Sequence, residues 1–318
     1  MEIRDLAQVF ALHPEVDVLA NELSRKCKKH FLLKNLFASA RSIILHAIHN
    51  RLITKQKSST ILIVMDNADD AQYMYADLRT LSQDKDVYFF PASHRRRQKT
   101  DEAMVVQRTE VLSMLIMDKG RSKELMDKGY GEVIIVTHPE ALMEPVPQPE
   151  TLQQQSIHIA VEEEIPQPKL IAELIALDFQ RVDFVYEPGQ FAVRGGILDI
   201  YSYAHDDPYR IDFFGDEVDS IREFDIETQL SKTRVDSVNI VGNSPKEEVT
   251  SFTTYLSENT IWVSNDFSLV KYKLESKGDK AKGERLEVMN DYATIEIGHK
   301  SSFDTYTTIH FDTLPQPS

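Results

Sequence analysis

The residues whose types and spacing could do chemistry fall in a few short stretches. The first is Asn35-Leu-Phe-Ala38-Ser39-Ala40-Arg41-Ser42, placed after the apolar run Phe31-Leu32-Leu33 and before a helical pattern near Ile43. A loop there is where a nucleotide phosphate would bind. Such a loop needs glycines, so that backbone N–H groups can close around the phosphates, and a lysine that reaches the β and γ oxygens. Set against GxxGSGKT, the glycine positions hold Asn35, Ala38 and Ala40, and the lysine position holds Arg41. Only Ser42 is compatible. Without glycine the concave backbone is expensive to form, so the stretch reads as a degenerate nucleotide site.

Other candidates are weaker. Asp66 follows an apolar strand pattern, as a magnesium-binding carboxylate would, but Asn67, Asp69 and Asp70 beside it read as loop and helix-cap residues. The basic cluster His94-Arg-Arg-Arg97 with Lys99 is either a contact for nucleic acid or an acidic partner, or a solvated loop offset by Asp101 and Glu102. The ten histidines match no metal-binding spacing, and no nucleophile–base pattern stands out. No catalytic residue and no metal site is assigned, and no cofactor is expected for this stretch of chain.

The mixed face of Tyr209-Arg-Ile-Asp-Phe-Phe214 is different. At period two, Tyr209, Ile211 and Phe213 form a core-facing set, while Arg210, Asp212 and Phe214 share the opposite side. Upstream, Phe191-Ala-Val-Arg194 ends at Gly195-Gly196, which reads as a bulge that bends the sheet and aims Arg194. Taken alone, Arg194, Arg210, Asp212 and Phe214 form either ordinary cross-strand pairs around a core-capping aromatic, or one exposed protein-binding patch. Arginine and aromatic residues dominate such patches, and an exposed Phe214 lacks a purpose unless something covers it.

Two kinds of layout position these residues. Residues 1–145 alternate strand and helix patterns: Thr60–Met65, a helix from about Asp69 to Leu81, Val87–Phe90, a helix at Met104–Met117, and Glu132–Val136. That alternation predicts an α/β domain with a parallel sheet. Before it, Ile3, Leu6 and Val9, and later Val18, Leu19 and Leu23, suggest two short helices. The prolines of Glu144-Pro-Val-Pro-Gln-Pro149 mark a boundary. Residues 146–232 then run strand, helix (Leu170, Ile171, Leu174 and Ile175 facing inward) and a meander from Glu187 to Phe224, an α+β domain with an antiparallel sheet. Residues 233–318 read as a third segment returning to the first domain, with Val235–Val241 leading back and Trp262 in a core. Ser276 to Gly283 reads as a mobile charged link.

Composition narrows the options further. The chain has 318 residues, 42% apolar, and a formal charge of −15. An acidic surface repels phosphate backbones, so sequence-independent DNA binding is disfavoured. Cys27 is the sole cysteine, which excludes an internal disulfide and fits a reducing compartment. No apolar run approaches the ~20 residues of a membrane span, and the N-terminus lacks an export signal. A cytoplasmic protein with no membrane contact is expected.

FAVRGGILDI (191–200) followed by YRIDFFGDEVDSIREFD (209–225) resembles the UvrB-homology module at the N-terminus of the transcription-repair coupling factor (Mfd) family. The resemblance is strongest over residues 169–241, weaker from about 31 to 145, and fades after Ser251. It implies a degenerate helicase-like ATPase domain with an inserted domain like the second domain of UvrB. It implies a non-catalytic module that recruits UvrA to stalled RNA polymerase for nucleotide excision repair. Arg194, Arg210, Asp212 and Phe214 fall on the family's UvrA-binding positions, with Asp212 where UvrB-like sequences have Glu. Asp178-Phe179 departs from the family's usual Gly-Tyr. RNA polymerase, DNA, ATP and magnesium would engage parts of the longer family protein after Ser318, and its C-terminal domain would mask the UvrA-binding face. A UvrB-like ATP-dependent damage-verification module is the alternative, although the long aromatic DNA-inserting hairpin of UvrB has only a short polar counterpart here.

Overall fold

A computed structural model of the chain describes residues 10, 12–24, 28–55, 60–83, 86–93, 95–96, 99–100, 102–120, 133–242, 249–276 and 291–311. Ile3, Leu6, Val9, Cys27 and the charged link from Lys277 lie outside the described residues. Two compact units emerge. The first comprises Met1–Ala92, Asp118–Glu144 and Leu256–Ser318, and the second Ser93–Met117 with Pro145–Tyr255.

The first unit holds a seven-stranded sheet. Its strand order is Thr307–His310, His30–Lys34, Ala293–Ile297, Ile261–Ser264, Ile61–Val64, Ile134–Thr137 and Val87–Phe90. Every neighbouring pair is parallel. Strands covered on both faces read as unbroken apolar runs, and Ile61–Val64, Ile134–Thr137 and Ile261–Ser264 are buried along their whole length. Trp262 is fully inside. The helix Ala68–Ser82 starts where Asn67 Oδ1 accepts the Asp70 N–H at 2.9 Å. Asp69 and Asp70 occupy its first turn, where the helix dipole favours carboxylates.

The second unit holds a six-stranded sheet ordered Ser231–Val235, Glu217–Phe224, Tyr209–Phe214, Ile197–Tyr201, Gln190–Arg194 and Gln180–Arg181. All pairs are antiparallel except the last. Tyr209, Ile211 and Phe213 do line the main core, with Leu170 and Leu174 of the helix Gln167–Ala176 and Ile159, Val238 and Ile240 of a two-stranded ribbon. Ile175, expected inward, is exposed instead. The opposite face carries a smaller cluster of Val185, Ala192, Tyr201 and Phe224.

Two expectations change here. Gly195-Gly196 is no bulge; it is a two-residue hairpin turn, because Arg194 pairs with Ile197. Gly195 takes φ +62°, the first central position where such turns favour glycine. A side chain at Gly196 would also stand 2.9 Å from the Phe213 carbonyl. The irregularity lies elsewhere: the register shifts between Asp212 and Phe213, leaving Asp219 of the facing strand unpaired. Lastly, Ser237–Val241 does not lead back to the parallel sheet. It pairs with Ser156–Ala160, and the buried Ser202 hydroxyl accepts the Val241 N–H at 2.9 Å. The second unit therefore continues to Tyr255.

Asp178 explains its own departure from Gly. It closes the helix Gln167–Ala176 at φ +63°, while the Phe179 N–H reaches back to the Leu174 carbonyl at 3.0 Å. This is the helix-ending geometry that favours glycine, and a short polar side chain tolerates it next best.

His205 gives the second unit a pH dependence. Its ring meets Tyr209 edge-on at 4.9 Å, and its Nε2 is shut from solvent without a hydrogen-bond partner. Burial lowers its pKa from 6.5 to about 4. Between those values the unfolded chain binds the proton and the folded one does not. Stability is therefore undiminished above pH 6.5 and falls, by roughly 2–3 kcal/mol, as the pH drops toward 4. Urea unfolding of wild type and His205→Asn across this range should show a shallower pH slope in the variant. An unchanged slope would assign the effect to other groups.

Candidate partner-binding face

The face opposite the main core of the six-stranded sheet is organised by a residue that the sequence reading passed over. Asp199 sits mid-strand in Ile197–Tyr201 and is only 1% exposed. A buried carboxylate must be paired, and two arginines converge on it. Arg210, directly opposite on the next strand, grips it with Nε at 2.8 Å from Oδ1 and Nη2 at 3.0 Å from Oδ2. Arg194 reaches it through Nη2.

The two guanidinium groups are then used differently. Arg210 also donates Nη1 to the Gln229 carbonyl at 3.2 Å and stacks 4.4 Å above the Phe224 ring. Its side chain is 16% exposed, and its bonds to Asp199 push its pKa above the usual arginine value. It does not lie open on the surface patch expected from sequence; in the free chain it is turned inward. Arg194 is 36% exposed and lies 5.1 Å from the ring of Phe184, an aromatic the sequence reading did not single out.

Asp212 stands apart from that triad. It accepts from the Ser220 hydroxyl at 2.9 Å and forms an ion pair with Arg222. Phe214, on the same side of its strand, is 81% exposed beside the Gly215-Asp216 turn. The face thus offers a held cation, the Asp212–Arg222 ion pair and a bare aromatic ring. These are groups suited to binding through charge and apolar contact.

The nucleotide-loop residues fold as a strand–loop–helix, with the helix Ala40–Thr54 following His30–Lys34. Asn35 and Ala38 adopt φ +67° and +47°, so the backbone follows a path suited to glycine even without it. The helix-start amides are already occupied: the Ala40 N–H bonds the Phe37 carbonyl at 3.1 Å and the Arg41 N–H the Ala38 carbonyl at 3.2 Å. Arg41 is tied to Asn265 Oδ1 at 3.2 Å. The Ser42 hydroxyl donates to the Ser39 carbonyl at 2.9 Å and lies 3.1 Å from an Asp77 carboxylate oxygen.

Of the basic cluster, Arg95–Arg96 and Lys99–Thr100 pair as a short antiparallel ribbon, while His94 and Arg97 lie outside the described residues. Among the described residues no group of three or more His, Cys, Asp or Glu side chains is placed to hold a metal. None of the described helices is long and apolar enough to cross a membrane.

Residues 157–245 match the UvrB interaction domain family. The chain carries a UvrB interaction domain. It is similar to the transcription-repair-coupling factor of Bacillus subtilis, 31% identical over 216 residues, which cover 67% of this chain and 17% of that protein. Transcription-repair-coupling factors of Mycobacterium bovis (34% over 114 residues, 36% and 9% of the two chains) and Haemophilus influenzae (36% over 100 residues, 31% and 9%) are similar as well. The chain therefore spans less than a fifth of the length of these relatives. The UvrB interaction domain lies wholly within the second unit, and every residue of the Asp199 triad belongs to it.

The triad predicts an asymmetry within that domain. Asp199→Ala removes the shared carboxylate and leaves two cations facing each other, which should cost about 2–4 kcal/mol. Arg210→Ala leaves Asp199 still paired with Arg194 and should cost less, about 1–2 kcal/mol. Chemical denaturation of both variants measures the order; a larger loss for Arg210→Ala would reassign the organising role.

Proposed function

We propose that the chain is a non-catalytic interaction module that recruits UvrA, and so links nucleotide excision repair to transcription. The observation that carries this reading is Phe214: a large aromatic, four-fifths bare, on a face of fixed arginines inside a UvrB interaction domain. In this reading Phe214 fills an apolar pocket on UvrA, Arg194 pairs with a carboxylate, and Asp212 takes a polar contact at the rim. Arg210 contributes by holding Asp199, and through it Arg194, in place. The longer relatives carry further regions, to which we assign binding of RNA polymerase and DNA, translocation driven by ATP and magnesium, and masking of this face by a C-terminal domain. These activities are proposed for the whole protein.

The loop at Asn35–Ser42 supports the non-catalytic reading over a UvrB-like ATPase. Its helix-start amides, arginine and serine are committed to internal partners, which leaves little to grip a triphosphate. Titration calorimetry with magnesium–ATP should give no binding heat. Binding at millimolar ATP or below would revive the ATPase reading.

The recruitment reading is tested on UvrA itself. Phe214→Ala should weaken UvrA binding by about 2–3 kcal/mol with an unchanged melting temperature, because the side chain contacts so little of its own fold. Wild-type affinity in that variant would remove this face from the interaction.

A further inference from the structure

Asp199, Arg210, Arg222 and Arg234 stand directly opposite one another on four adjacent strands. Directly paired residues of an antiparallel sheet share a face, so three arginines form one row beside the buried carboxylate. Like charges at paired positions weaken a sheet. Sheet pairing therefore does not account for the row, and only part of its charge is offset within the chain. Asp199 serves Arg210, and Asp212 serves Arg222. Arg222 Nε remains shut from solvent with no acceptor. The Arg234 side chain, exposed on the edge strand Ser231–Val235, makes no ion pair or hydrogen bond among the described residues.

We infer that Arg222 and Arg234 extend the partner-binding face into a strip that reads carboxylates on the same protein partner, an acidic stretch of UvrA. The inference rests on the proposed function and adds to it a direction. Contacts would run from Phe214 along the arginine row to the sheet edge. A guanidinium fork matches carboxylate geometry, and such pairs set specificity and association rate. A phosphate backbone fits less well. Asp199 heads the row and Asp212 stands beside it, and the chain as a whole carries −15, so a polyanion would be repelled around the strip.

The experiment titrates the whole chain into UvrA at low and moderate salt, with Arg234→Glu, Arg234→Lys and Phe214→Ala beside the wild type. Arg234→Glu should bind about ten-fold more weakly, with a shallower salt dependence, while Arg234→Lys retains most of the affinity. Its melting temperature should hold or rise, since the change relieves the like-charged row. Wild-type affinity and salt slope in Arg234→Glu, with Phe214→Ala still impaired, overturns the strip and leaves the recruitment reading intact. A wild-type chain that does not bind UvrA overturns both. Duplex DNA binding that Arg234→Glu abolishes reassigns the row to nucleic acid and overturns the protein strip.

Discussion

A single buried carboxylate sets the character of the second unit's outer face. Asp199 lies in a strand whose other residues are apolar or partly so, beside Ala192, Tyr201 and Phe224. Unpaired, an ionised group there would carry a desolvation penalty of several kcal/mol. The fold meets that demand from two directions, with Arg194 five residues before it and Arg210 eleven after. Each arginine brings an aromatic neighbour, Phe184 for one and Phe224 for the other. Removing charges from water is rarely the best route to stability, since apolar packing would serve as well. What the triad does provide is a fixed cationic surface on an acidic chain.

The parallel sheet of the first unit shows the same principle, a costly local conformation held by its surroundings. The loop Asn35–Ser39 keeps a strand-to-helix path with two residues in left-handed conformation and no glycine to ease it. The surroundings hold it there. His30–Lys34 is clamped between two parallel neighbours, and the helix Ala40–Thr54 buries Ile44, Leu45, Ile48 and Leu52. With both ends fixed by packing worth far more than the local strain, the loop has little freedom to choose another route. The Ala40 and Arg41 amides and the Arg41 and Ser42 side chains have turned to internal partners.

Much of this was legible in the residues, and the omissions have clear causes. The alternation in Tyr209–Phe214 placed three residues in the core and three on the face, because a side chain's side depends only on parity within its own strand. The alternation of strand and helix patterns gave the parallel sheet, whose strands read as apolar runs because both faces are covered. What parity within one strand cannot give is register between strands. Reading Gly195-Gly196 as a bulge rather than a turn hid the hairpin that folds Arg194 back over Asp199. The arginine row was invisible too, since it depends on the alignment of three further strands. Asp199 itself left a signal: a lone carboxylate in the apolar run Ile-Leu-Asp-Ile-Tyr needs a cation, and arginines stood on both sides in sequence. Ser237–Val241 was misdirected because an edge strand's partner is a tertiary choice.

Rigidity connects the triad to binding. A free arginine loses up to ~2 kcal/mol of rotamer entropy when a partner fixes it. Arg194, already tethered to Asp199 and stacked on Phe184, has given up most of that freedom in folding. Phe214 has few torsions to lose and, at 81% exposure, apolar surface to bury. The register shift between Asp212 and Phe213 adds local twist to the sheet next to it. The proposed partner would have to match both the bare ring and the held arginines on a surface set in advance by the sheet. Specificity of that kind comes from geometry held in advance, and the geometry originates in the carboxylate that the sheet could not leave alone.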